Sequence, residues 1–148
     1  MPAADGSKTV GPPGALSFRR MDATSVSIEQ LDNATVVALP GEHDLASAPR
    51  VREVLSEAES HGGPIVVELT PTEFMDSSIL GVLLGALRRA REEQRGFTFA
   101  LDREDGSIVS RLFEVTGLFS LFPVYTTRAD AVEAASRGVN QPMVADGP

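Results

Sequence analysis

The sequence has no cysteine. Disulfides, thiol catalysis and cysteine-based zinc sites are therefore excluded. Basic residues are scarce, 13 against 21 acidic ones, for a net charge of -8. Nucleic-acid binding requires a basic footprint that displaces counterions, so this balance argues against it. It argues equally against docking on an anionic membrane. No long hydrophobic run is present. The longest, Ile79 to Leu87, falls far short of the ~20 residues that span a bilayer. The N-terminus lacks the apolar core of a signal peptide, and Pro2 to Gly14 is polar and rich in proline and glycine. A cytoplasmic protein is expected. There is no glycine-rich phosphate loop, and no G-x-S-x-G elbow that would present a serine nucleophile. His43 and His61 stand apart in the sequence, without the spacing of a metal centre. Neither a cofactor nor a metal is expected, and no internal repeat is visible.

The 148 residues suffice for one domain with one core. Residues 1–15 and 138–148 read as disordered tails, with the ordered domain over residues 16–137. Val26 to Leu31 and Thr35 to Leu39 flank Asp32-Asn33-Ala34 as a β-hairpin. A helix follows, with Ser47 as a candidate cap, Pro49 in its first turn, an apolar stripe of Val51, Val54, Leu55 and Ala58, and Gly62-Gly63 at its end. Pro64 to Leu69 is a compact apolar run of the kind found in buried strands. A second helix extends from the serine pair Ser77-Ser78 to about Gln94, and Phe97 to Leu101 is a strand. Ser107 caps a helix from Ile108 that stops at Gly117. Pro123 to Thr127 is a last strand, and Thr127 with Asp130 forms a capping box for a fourth helix. Alternating strands and helices of this length build parallel β-α units. The expected fold is therefore α/β, a mixed sheet with an N-terminal antiparallel hairpin and about four helices. Loops at Pro40 to Leu45, Thr70 to Ser77 and Asp102 to Ser107 should emerge at one sheet edge, where sites of open α/β sheets form.

Ser77 and Ser78 sit at that edge, after Asp76. Asp-Ser-Ser before an apolar helix is a good cap and requires no further role. Two features add to that reading. Ile79, Leu80, Leu83, Leu84 and Leu87 should face the sheet, which leaves Gly81, Val82, Gly85 and Ala86 on the opposite side, with no charge before Arg88. Interior glycines cost roughly 1 kcal/mol each relative to alanine. Such a face suits either close approach by another polypeptide or burial within the domain. The edge loops are also strongly acidic, with Glu42, Asp44, Glu73, Asp76, Asp102, Glu104 and Asp105 against His43 and Arg103. A phosphate there would add about -1.5 to -2 charges.

The segment FMDSSILGVLLGALRRAREEQ resembles the signature helix of the STAS domain as found in bacterial anti-sigma factor antagonists. LPGEHDLASAP (Leu39 to Pro49), PIVVELTPTEFMDSS, and the stretch Val109 to Val132 resemble other family landmarks in the same order, so the likeness covers about Val26 to Ala135. The resemblance implies a mixed sheet packed with helices and a regulatory, non-enzymatic role. The antagonist would bind an anti-sigma factor of the serine-kinase type and so release a sigma factor. Phosphorylation would end the binding, and a phosphatase would reset it. Mapping the motif carries the phosphate acceptor onto Ser78, with Ser77 as the alternative. Partner contacts would come from Glu42, His43 and Asp44, from Asp76, and from Gly81, Val82, Gly85, Ala86 and Arg89. One departure stands out: Ile79 occupies a position that is usually glycine in the family. The alternative is an unphosphorylated STAS interaction or nucleotide-binding module serving a transporter or a sensory scaffold.

Overall fold

The computed structural model describes residues 25–142. The expected N-terminal tail, residues 16–24 of the expected domain, and residues 143–148 lie outside the described residues. The hairpin forms as its pattern requires. Strands β1 (Ser27–Gln30) and β2 (Thr35–Ala38) pair antiparallel, and the Leu31 amide donates to the Ala34 carbonyl at 2.8 Å to close the turn. A short β3 (Gly41–His43) precedes α1 (Ala48–Ser60). Then follow β4 (Ile65–Glu68), β5 (Thr72–Met75), α2 (Ser77–Glu92) and β6 (Phe97–Ala100). The chain finishes with α3 (Ile108–Thr116), one 3-10 turn (Leu118–Ser120), β7 (Val124–Tyr125) and α4 (Arg128–Ser136).

The main sheet has the order β1-β2-β4-β6-β7, parallel except for β1. Alternation along the strands divides the core. Val37, Ile65, Val67, Phe97 and Phe99 meet α1, α2 and α3 on one face. Val36, Val66 and Ala100 meet Ala131 and Ala135 of α4 on the other. Both faces are covered, which is why β6 is buried at every residue, Thr98 included, whose hydroxyl donates to the Ala131 carbonyl of α4 at 2.7 Å. Phe99, Phe113 and Phe122 extend the larger core as an aromatic cluster, with Phe122 tilted against Phe99 at 4.8 Å between ring centroids and edge-to-face with Phe113 at 5.4 Å.

Local signals act where the sequence placed them, with one exception. Ser107 accepts a hydrogen bond from the Ser110 amide at 3.0 Å, and Thr127 one from the Asp130 amide at 3.1 Å. Gly117 ends α3 with φ 76°. Ser47 precedes α1 but its hydroxyl does not cap that helix; it turns back to His43 and Asp44. Gly96 is required by close packing: a Cβ there would lie 1.9 Å from the Ala135 carbonyl oxygen.

Two regions differ from the sequence reading. The loops around residues 41 and 72 contain a second, two-stranded parallel sheet, β3 with β5. These strands carry a glycine and charged residues, so propensity alone does not reveal them. They form because β2 and β4 deliver the two segments side by side, and a buried Thr72 hydroxyl donating to the Leu39 carbonyl at 2.5 Å fixes them there. At the other end, Val139 and Asn140, placed in the C-terminal tail by sequence, are tied down. The Phe97 amide donates to the Val139 carbonyl at 2.8 Å, and the Asn140 side chain donates to the Arg95 carbonyl at 3.0 Å.

Candidate functional site

The extended backbone of Asp76 (φ -107°, ψ -174°) ends β5 and turns the chain into α2. Its carboxylate caps the helix. One oxygen, Oδ1, accepts the Ser78 amide at 3.0 Å, the Ile79 amide at 3.3 Å, and the Ser78 hydroxyl at 2.5 Å. The hydroxyl bond is the largest cause holding this carboxyl below its ordinary value, and the amides of Ile79, Ser78 and Leu45 add to it. The Asp76 amide donates to the His43 carbonyl at 3.3 Å, so Asp76 joins the start of α2 to the end of β3.

The two serines are therefore unequal. Ser78 is half-buried and its hydroxyl is spent on the cap. Ser77, the first helical residue, is exposed. It stands at a helix start, where amides lacking intrahelical partners favour negative charge. Ile79 is fully buried in the main core and packs inward, away from the hydroxyls.

The face of α2 is only partly as expected. Gly81 is exposed with no atom within 4 Å of a Cβ placed on it, and Gly85 would meet only the Arg89 guanidinium at 3.7 Å. Nothing among the described residues requires either glycine. Val82 is half-buried and Arg89 is exposed, paired with Glu59 at 3.0 Å. Ala86 is a correction: it is fully buried, and so is Ala90. The inward stripe runs through Ile79, Leu83, Ala86, Leu87 and Ala90, which turns Leu80 and Leu84 partly outward. The small side chains at 86 and 90 let α2 sit close to its neighbours, a preference that a search for large apolar residues overlooks.

His43 is a second correction. It was expected on an exposed loop, but it is fully buried in β3. Its partner across the small sheet is Met75, also buried, while Glu42 and Phe74 form the exposed pair. Strand alternation, invisible until the second sheet is known, sends His43 inward. Its Nε2 donates to the Pro40 carbonyl at 3.0 Å, and Nδ1 meets the Ser47 hydroxyl at 3.0 Å. The imidazole thus shapes the edge loop from beneath and is not a surface contact.

Glu42, Asp44, Glu73, Glu104 and Asp105 are exposed along the edge. Asp44, Asp102 and Asp105 each accept a nearby amide and hold their own turns. Arg103 lies over the Phe119 ring at 4.0 Å. Large apolar side chains that the sequence reading did not single out also surface here: Leu45 is 73% exposed and Phe74 41% exposed. Phe74 was hidden by the missed strand, and Leu45 by its place in a loop read for charge.

The sequence model of the STAS domain family matches residues 25–131, which takes in every element from β1 to the start of α4. The chain belongs to the STAS domain family. The anti-sigma-B factor antagonist of Bacillus subtilis is 30% identical over 100 residues, covering 68% of this chain and 89% of that protein. Among solved structures, this STAS domain is similar to an anti-sigma factor antagonist from Mycobacterium paratuberculosis. That pair shows 28% identity and a TM-score of 0.65, over 75% of this chain and 92% of the other. It is also similar to the phosphorylated form of the Bacillus cell fate determinant SpoIIAA, with 26% identity and a TM-score of 0.53, over 74% of this chain and 97% of that one. Among the described residues of the STAS domain, no helix is long and apolar enough to cross a membrane.

Proposed function

We propose that this STAS domain is a cytoplasmic anti-sigma factor antagonist, controlled by phosphorylation of the serine pair at the start of α2. The partner is an anti-sigma factor of the serine-kinase type. Binding it frees a sigma factor, phosphorylation of the antagonist ends the binding, and a phosphatase reverses the modification. The names of the similar proteins support the class of activity, and the phosphorylated state of one of them supports the kind of switch.

The observation that carries the reading is the position of the Ser77 hydroxyl. It is exposed at the first residue of α2, one turn from Gly81, over which the surface is open. Between the two serines this geometry favours Ser77 as acceptor. A phosphate on Ser78 would be forced against the Asp76 carboxylate, which already holds that hydroxyl at 2.5 Å. On Ser77 it would leave the cap intact and change the charge at the rim of the docking surface. The partner's contacts are assigned to Gly81, Val82, Gly85 and Arg89 on α2, and to Glu42, Asp44 and Asp76 at the edge. Burial removes His43 and Ala86 from that set.

The test is to capture the partner kinase, incubate the two proteins with ATP, and locate the phosphate by mass spectrometry. Label on Ser77, abolished in Ser77→Ala with binding retained, is the expected result. Label on Ser78 would return the assignment to the second serine, and label on neither would remove the switch.

A further inference from the structure

Helix α3 buries Val109, Ser110 and Phe113. Its outer side should carry charge, as exposed helix faces do. Instead Ile108, Leu112 and Val115 recur there at i, i+4 and i+7. Ile108 is 63% exposed, Val115 77% exposed, and Leu112 half-buried. Arg111 and Glu114 are exposed along one flank of this stripe, and neither has an ion-pair partner among the described residues. The pattern is self-complementary. A two-fold axis that packs α3 antiparallel against its own copy keeps the same flank of both helices on the same side. With the axis beside Leu112, Ile108 of one chain packs against Val115 of the other. Arg111 of each chain then reaches Glu114 of its mate, so the ion pair is made twice.

We propose that the outer face of α3 is the contact of a symmetric homodimer, with a second copy of this chain as its occupant. The reading is independent of the serine pair, which lies on a different helix. A nine-residue helix is about 13 Å long and covers less than the ~800 Å² per partner of a standard interface. The dimer is accordingly weak, and association is looked for between roughly 10 μM and 1 mM.

Sedimentation equilibrium of the full chain from about 10 μM to about 1 mM spans that range. The wild type is expected to self-associate. Val115→Glu should weaken association at least about tenfold, with an unchanged circular dichroism spectrum because the side chain is exposed. Arg111→Glu and Glu114→Arg should each be impaired alone, and an equimolar mixture of the two should associate, since the mixed dimer regains both ion pairs. A wild type that stays monomeric throughout, a Val115→Glu variant that associates as well as wild type, or a mixture no better than its components would each overturn the proposal.

Discussion

Asp76 ties the start of α2 together through a single carboxylate oxygen that serves two amides and a hydroxyl. The Ser78 hydroxyl is the foremost cause of its lowered titration. NMR titration of the carboxyl should therefore give a value below the ordinary ~3.9 for aspartate in the wild type, moving back toward it in Ser78→Ala. The linkage has a definite sign. A depressed folded value means the contribution to stability is complete above the unfolded value of ~3.9 and disappears as pH falls through the lower, folded value. Urea unfolding should show Asp76→Asn less stable than wild type at neutral pH, with the gap closing on acidification below about pH 4. A gap that stays constant with pH would show that the charge of Asp76 is not what stabilises the helix start.

Helix α2 combines a costly sequence with an open surface. Among the described residues nothing lies within 4 Å of a Cβ at Gly81, so Gly81→Ala should raise stability by about 0.5–1 kcal/mol in urea unfolding. The larger Gly85→Arg should leave the fold intact, as little but the Arg89 guanidinium is near, and abolish partner binding in a pull-down. A protein that forgoes this helix stability gains a surface another chain can approach closely. Elsewhere capping follows ordinary rules, and Ser107→Ala should cost about 1 kcal/mol through loss of the bond to the Ser110 amide. Most elements were legible because each carries its own signal: the alternation of the hairpin, the apolar run of β4, and the caps at Ser107 and Thr127. The small sheet was not. β3 and β5 arise from long-range pairing between short polar segments, and no local pattern reports that. The inward turn of His43 follows from the same pairing. The serine pair and its cap were visible from sequence, but which hydroxyl the cap consumes was not, since that depends on an angle at Asp76.

At the scale of the whole molecule, polar contacts and a close backbone approach add to the apolar packing that holds α4 on the sheet, and the buried Thr98 hydroxyl donates to the Ala131 carbonyl at 2.7 Å. Arg128 pairs with Glu29 at 2.5 Å and lies 3.5 Å from Glu68, joining α4 to β1 and β4. Gly96 leaves room for the end of α4 against β6. Gly96→Ala drives a methyl group into the Ala135 carbonyl, 1.9 Å from the ideal Cβ position, and should cost about 1–3 kcal/mol as overpacking. Thermal unfolding measures this directly, and an unchanged midpoint would mean that α4 shifts without cost. The chain beyond α4 completes the enclosure. On the β7 side of β6, the Phe99 and Leu101 amides donate to Pro123 and Tyr125, and Val139 takes the Phe97 amide that the short β7 does not reach. That side of β6 is sealed by the protein's own backbone. A version cut after Arg137 would bare a hydrogen-bonding group on a fully buried strand, inviting strand-to-strand clumping between molecules. Reporter fusions should accordingly be joined downstream of Asn140, where the seal is left whole.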